Sequence, residues 1–123
     1  MNHNPVGWFE IYVQQMDRAR AFYEAVLGVT LTRLEGLDHE MWAFPMNPTG
    51  TGASGALIHM PGAPSGFKGT MVYFSCQDCA IEAGRVEEAG GQIKEGKMSI
   101  GPYGFIAMAF DTEGNLFGLH SQN

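Results

Sequence analysis

The sequence predicts an α+β fold assembled from two βαβββ modules, and three observations predict it. Residues 8–28 (WFEIYVQQMDRARAFYEAVLG) read as a strand, a tight turn and an amphipathic helix. A degraded copy follows at 71–91 (MVYFSCQDCAIEAGRVEEAGG), and a chain that repeats a pattern in this way is usually two copies of one supersecondary unit. Seventeen glycines mark strand ends, turns and close backbone approaches more than helix, which points to a β-rich fold.

The first strand is expected over 5–13, where Trp8, Glu10 and Tyr12 alternate with Phe9, Ile11 and Val13 and so occupy opposite faces. A helix follows over 17–27. Asp17 supplies an N-cap or first-turn carboxylate, Ala21, Phe22, Ala25 and Val26 form a stripe at helical spacing, and Gly28 closes the helix. Strands are expected at 29–35, at 40–46, where Pro45 falls near the end, and at 56–60, with turn material at 47–55. Residues 61–69 (PGAPSGFKG) read as a linker between the halves. The second half repeats the order: strand 70–76, helix 79–89 with Ile81, Val86 and Ala89 as its stripe, and strands 92–98, 105–110 and 115–120. The loop 100–104 (IGPYG) and the turn at 111–114 (DTEG) separate the last three strands. The organisation is a single domain, 1–123, with module one at about 5–60 and module two at about 70–121.

Composition narrows the function classes. At 123 residues with 45% apolar content the chain can bury a real core. Thirteen acidic against seven basic residues, with no basic cluster, argue against a nucleic-acid partner, whose phosphates call for basic contacts. No apolar run approaches the ~20 residues that span a bilayer, and MNHNPVG shows no signal-peptide pattern. The expectation is a soluble cytoplasmic protein with no membrane partner.

The duplicated order, together with DRARAFYEAVLG at 17–28, EEAGGQI at 87–93 and DTEGNLFGL at 111–119, resembles the vicinal oxygen chelate superfamily, which includes glyoxalase I, bleomycin-resistance proteins and extradiol dioxygenases. The resemblance implies that the two modules curl into a cupped mixed β-sheet around a cavity, and it implies a homodimer. In the metal-dependent members, His, Gln or Glu side chains from the first and fourth strands of each module hold a divalent metal that acts as a Lewis acid on vicinal substrate oxygens. Carried over, those positions fall on Trp8, on Met71 or Val72, on Gly118, and on His59 or, with a shift of two, Leu57. Only histidine among these is a ligand, so the usual metal set is missing and no cofactor is expected.

Parity offers other chemistry. If Trp8 faces the cup, Glu10 and Tyr12 face it too, and Glu10 there could act as a general base or a ligand anchor. His59 and His120 stand at similar places in ALIHM and FGLHS, so Glu10, His59 and His120 are the alternative, rearranged ligand set for a divalent metal in a lyase or dioxygenase; otherwise the two histidines are solvated strand ends. His3 and His39 read as surface residues. Trp42, Phe44, Tyr73, Met98, Tyr103 and Phe105 are candidates for lining the cup or its mouth, with plain core packing claiming a share. Met is also a filler of irregular core gaps. Loop 100–104 reads as a gate. Cys76 and Cys79 (CQDC) at a strand–helix junction suggest a redox pair or half a zinc site, against a reading as reduced structural thiols. Glutathione would call for basic anchors, and only Arg33, Lys68 and Lys97 lie near a mouth. The sequence therefore favours a binding protein that holds a small aromatic or carbonyl-bearing molecule among Trp8, Glu10, Tyr12, Trp42, His59, Tyr73, Met98, Tyr103 and His120, without the usual metal.

Overall fold

A computed structural model describes residues 3–123. Met1 and Asn2, which open the segment read above as lacking a signal pattern, lie outside the described residues. The fold class is α+β, in the expected order: β1 (Val6–Tyr12), α1 (Met16–Leu27), β2 (Thr32–Arg33), β3 (Glu40–Ala43), β4 (Ser54–His59), then β5 (Thr70–Ser75), α2 (Cys79–Ala83), β6 (Gln92–Ser99), β7 (Phe105–Phe110) and β8 (Leu116–Ser121). Two compact units emerge. Trp8–Met71 is the first; the described residues up to Gly7 join Val72–Asn123 in the second. Segment 61–69, read from sequence as a linker, falls within the first unit.

In the first unit, β1 pairs with β4 in parallel, and β3 pairs with β4 and β2 antiparallel. Parallel neighbours need a crossover, and α1 supplies it. Pairing Trp42 with Leu57, and Leu57 with Ile11, puts these three on one face. There Val13, Met16, Leu31 and Leu57 form the core, with Ile11, Ala19, Tyr23, Trp42 and Phe44 packed on it. The helix thus presents Met16, Ala19 and Tyr23 to the sheet. The stripe expected from sequence, Ala21–Phe22–Ala25–Val26, faces outward instead, with Phe22 59% and Val26 63% exposed. Arg20 explains part of the rotation. Its guanidinium lies 3.5 Å from the Trp42 ring centroid and near Asp17 and Glu24, so a long amphipathic side chain covers the core edge. The N-cap is Gln15, which makes no side-chain cap, and Asp17 sits in the first turn. Gly28 closes α1 at φ 66°, donating its N–H to the Glu24 carbonyl, as its glycine suggests.

In the second unit, β5 runs parallel to β8, and β7 lies antiparallel between β8 and β6. Cys79, Ala107 and Leu119 form its core with Phe74, Phe105 and Phe117. Helix α2 spans only Cys79–Ala83, shorter than the expected 79–89. Beyond Ala83 the chain continues in tighter turns: the Arg85 N–H reaches the Glu82 carbonyl and the Val86 N–H reaches that of Ala83. Those bonds span three residues rather than four, ending the α-geometry at Gly84. Of its expected stripe, Ile81 is half exposed. Asp78 caps α2 through the Ala80 N–H (3.0 Å), and Ser121 Oγ, fully buried, accepts from the Cys79 N–H (3.0 Å).

Candidate functional site

Each unit has a second face, away from its helix. In the first unit it carries Trp8, Glu10 and Tyr12 of β1, beside Ser54, Ala56 and Ile58 of β4. Glu10 is the notable member, a carboxylate only 7% exposed. Trp8 Nε1 donates to Glu10 Oε2 at 3.2 Å. The Tyr12 phenol is held above its ordinary pKa by burial first and by the negative charge of Glu10 second, so it stays neutral as a hydrogen-bond donor. Its hydroxyl donates to the Met71 thioether, Sδ, at 3.9 Å. β1 therefore displays an indole, a buried carboxylate and a protonated phenol at alternate positions, as strand parity requires.

A cleft of about 500 Å³ also lies in this unit, at the β1–α1 turn, lined by Tyr12, Gln14, Arg18, Tyr23, Ser65 and Gly69 among others. It and the Glu10 carboxylate do not coincide, since Tyr12 alone of the sequence candidates borders it. Two of its polar side chains are tied within it: Gln14 Nε2 donates to the Ala63 carbonyl and to Ser65 Oγ, both at 3.0 Å, and Ser65 Oγ donates to the Tyr12 carbonyl at 3.2 Å. These bonds strap segment 61–69 to the end of β1.

In the second unit the face away from α2 carries Tyr73 and Ser75 of β5, Gly118 and His120 of β8, Ile106 and Met108 of β7, and Met98 of β6. Tyr73 is 6% exposed, and a Cβ at Gly118 would fall 2.2 Å from its Cδ1, so the ring lies directly across that glycine. His120 Nε2 is 2.6 Å from the Tyr103 carbonyl oxygen.

Several sequence candidates sit elsewhere. Trp42 and Phe44 pack in the core beside α1, and Phe105 packs beside α2 with Lys97 Nζ 4.7 Å from its ring centroid. Alternation fixes this: Trp42 aligns with Leu57, and Phe105 with Ser121. His59 follows Leu57 by two residues and shares its face, opposite to Glu10. Glu10 and His59 therefore cannot reach one ion, and the rearranged set Glu10–His59–His120 does not assemble. Among the described residues no group of three or more His, Cys, Asp or Glu is placed to hold a metal. The family's own positions fit a metal no better. Trp8, Met71 and Val72 offer no hard donor, Leu57 is core, His59 shares the Leu57 face opposite Trp8, and the Tyr73 ring fills the space a ligand at position 118 would need.

The thiols do not resemble an activated pair. Burial first, then the Glu82 carboxylate and Cys79, push Cys76 up to about 11, and Cys79 is fully buried. Lys97 is committed to Asp78 at 2.8 Å and so is no mouth cation. Two features escaped the sequence reading, the Tyr73–Gly118 contact and the Tyr103–His120 bond. The only sequence signal for either was the pair of glycines in GPYG.

The comparisons agree with this architecture. Residues 6–119 match the profile of the Glyoxalase/Bleomycin resistance protein/Dioxygenase superfamily, so the chain belongs to that superfamily. "Putative glyoxylase CFP32" of Mycobacterium bovis is 30% identical over 114 residues, covering 91% of this chain but 42% of the relative, so the chain spans less than half the length of that protein. A methylmalonyl-CoA epimerase of Streptomyces coelicolor, solved in complex with 2-nitronate-propionyl-CoA, superposes with TM-score 0.74 at 17% identity, covering 98% of this chain and 95% of that one. A superfamily member from Vibrio splendidus 12B01 gives TM-score 0.65 at 20% identity, covering 92% and 95%. At such identities these structures are evidence of the fold alone.

Proposed function

We propose that this protein is a small-molecule-binding member of the superfamily that works without the family's metal set, holding an organic ligand against Trp8, Glu10 and Tyr12. The observation that carries the reading is the buried Glu10 carboxylate between an indole donor and a neutral phenol. Clefts that recognise small molecules combine apolar surface with a few fixed polar groups. Indole and phenol supply stacking area for an aromatic or carbonyl-bearing ligand, the phenol O–H donates to a ligand oxygen, and the carboxylate accepts from an O–H or N–H. Tyr73, Met98, Tyr103 and His120 are candidates on the second unit's own open face; Trp42 and His59 drop out because of the faces they occupy.

A second reading, favoured by the same pair of groups, is an enzyme in which Glu10 takes a proton from the ligand while Tyr12 donates to the oxygen that gains charge. The name of the mycobacterial relative lends it some weight. A homodimer and a cytoplasmic setting belong to the proposal as expectations from the resemblance and the composition.

The test starts with elemental analysis of protein purified without metal affinity, followed by fluorescence titration of Trp42→Phe, in which Trp8 is the sole indole, against a library of small aromatic and carbonyl compounds. Saturable quenching that weakens at least tenfold in Glu10→Gln, with no stoichiometric metal, supports binding at this face. Stoichiometric metal required for binding would overturn it. Turnover of a bound compound that is lost in Glu10→Gln would select the enzyme reading.

A further inference from the structure

His120, on the open face of the second unit, is tied by its ring to another element. Nε2 lies 2.6 Å from the Tyr103 carbonyl oxygen. A carbonyl oxygen only accepts, so the proton in that bond belongs to Nε2. In a neutral imidazole one nitrogen donates and the other accepts, which leaves the lone pair on Nδ1. Nδ1 makes no hydrogen bond among the described residues.

The acceptor that fixes this tautomer is itself held firmly. Tyr103 ends the 3-10 turn Gly101–Tyr103. The Ile100 N–H donates to the Gly104 carbonyl at 2.8 Å, the Gly104 N–H to the Gly101 carbonyl at 3.2 Å, and the Gly101 N–H to Ser99 Oγ at 3.2 Å. Gly101 and Gly104 adopt φ 71° and 104°, which other residues rarely reach, and a Cβ at 104 would meet the Ser121 carbonyl at 2.4 Å. A loop that reads as a gate in sequence is pinned against β8. Around His120 its face is apolar or hydroxylic, with Ile106, Met98 and Ser75 in register, while Lys97 is spent on Asp78 across the sheet.

We propose that His120 is a ligand-contacting residue whose Nδ1 accepts a hydrogen bond from the O–H or N–H of a neutral or cationic ligand, with the Tyr103 carbonyl as the positioning group that sets the tautomer. The inference rests on the reading that this protein binds a small organic molecule, and it narrows the ligand class. A lone pair at this point favours a donor and repels a carboxylate or phosphate.

The experiment uses the whole chain with nitrogen-15 in its histidine rings, observed by long-range proton–nitrogen NMR at neutral pH. His120 is expected to show a protonated Nε2 and a bare Nδ1. A protonated Nδ1, or two averaged nitrogens, overturns the proposal whatever Glu10 does, so its failure is distinct from failure of the binding reading. Benzyl alcohol and benzoate are then titrated in parallel. The alcohol should move the Nδ1 resonance several-fold more than benzoate, and the backbone shifts it causes at 103–106 should vanish in His120→Phe. Benzoate acting equally or more strongly, or neither compound moving Nδ1, sinks the donor-selective contact.

Discussion

The helix-covered faces of the two units are alike, and their open faces are not. Under α1 lie Val13, Met16, Leu31 and Leu57; under α2 lie Cys79, Ala107 and Leu119, both sets ringed by aromatics. Away from the helices, the first unit displays Trp8, Glu10 and Tyr12, while the second displays Tyr73 over Gly118 and His120 bound to Tyr103. Both copies keep an apolar interior, because any βαβββ unit must bury one sheet face under its helix. The open face carries no such demand, and there the copies have diverged into different polar groups. Scaffold and chemistry are thus separated by strand parity, one residue apart.

That separation can be broken at its scaffold side first. Leu57→Ala, at a fully buried position, should cost about 2–5 kcal/mol, read from denaturant melts. On the opposite face of the adjacent strand, Glu10→Gln keeps an oxygen for Trp8 Nε1 and should cost less stability than Leu57→Ala while weakening ligand binding. Equal losses in the two variants would mean that the faces are not functionally distinct.

Gly118→Ala comes next, with an expected cost of about 1–3 kcal/mol, because the new methyl group meets the Tyr73 ring. In a double-mutant cycle, Gly118→Ala should cost less in a Tyr73→Ala background than in wild type, because the ring is gone. A neutral Gly118→Ala would show that the ring moves aside freely, and a ligand at that position would then be admissible again.

Smaller effects are titrations. In Glu10→Gln the Tyr12 phenol should ionise at lower pH than in wild type, though still above an ordinary tyrosine because burial remains, as followed by tyrosinate absorbance. The sign follows from linkage. A phenol raised in the folded state keeps its proton there longer than in the unfolded chain, so its contribution to stability falls as pH rises above the unfolded pKa. Glu82→Gln should bring Cys76 down from about 11 and quicken its reaction with a disulfide reagent, while leaving the Glu10 face untouched. The smallest change is at Asp78, whose carboxyl is held low first by its hydrogen bond to Lys97 and next by the Ala80 N–H. A depressed carboxyl stabilises above its unfolded pKa and loses that effect as pH falls through the folded value. Lys97→Ala should therefore raise the Asp78 pKa and shrink the stability gap between neutral and acidic pH, measured by NMR titration and melts.

Much of this was legible in the sequence. Period-two alternation and the repeated strand–turn–helix segment determined the element order and the α+β class, three motifs carried the resemblance to the superfamily, and the same alternation put Trp8, Glu10 and Tyr12 on one face. Gly28 announced its own left-handed helix end, since only glycine takes that conformation cheaply. Helix phase was beyond its reach. Phe22 and Val26 are as apolar as Met16 and Tyr23, and Arg20 stacking on Trp42 helped decide which stripe packs. Which face each strand turns to its helix is likewise a matter of register between strands far apart in sequence, so Trp42, Phe44, Phe105 and His59 could be assigned only once Leu57 was seen beside Ile11 and Trp42, and Ser121 beside Phe105. Tautomer and reach belong to the tertiary structure entirely. Nothing local to FGLHS tells which nitrogen of His120 holds the proton. A carbonyl seventeen residues away decides it.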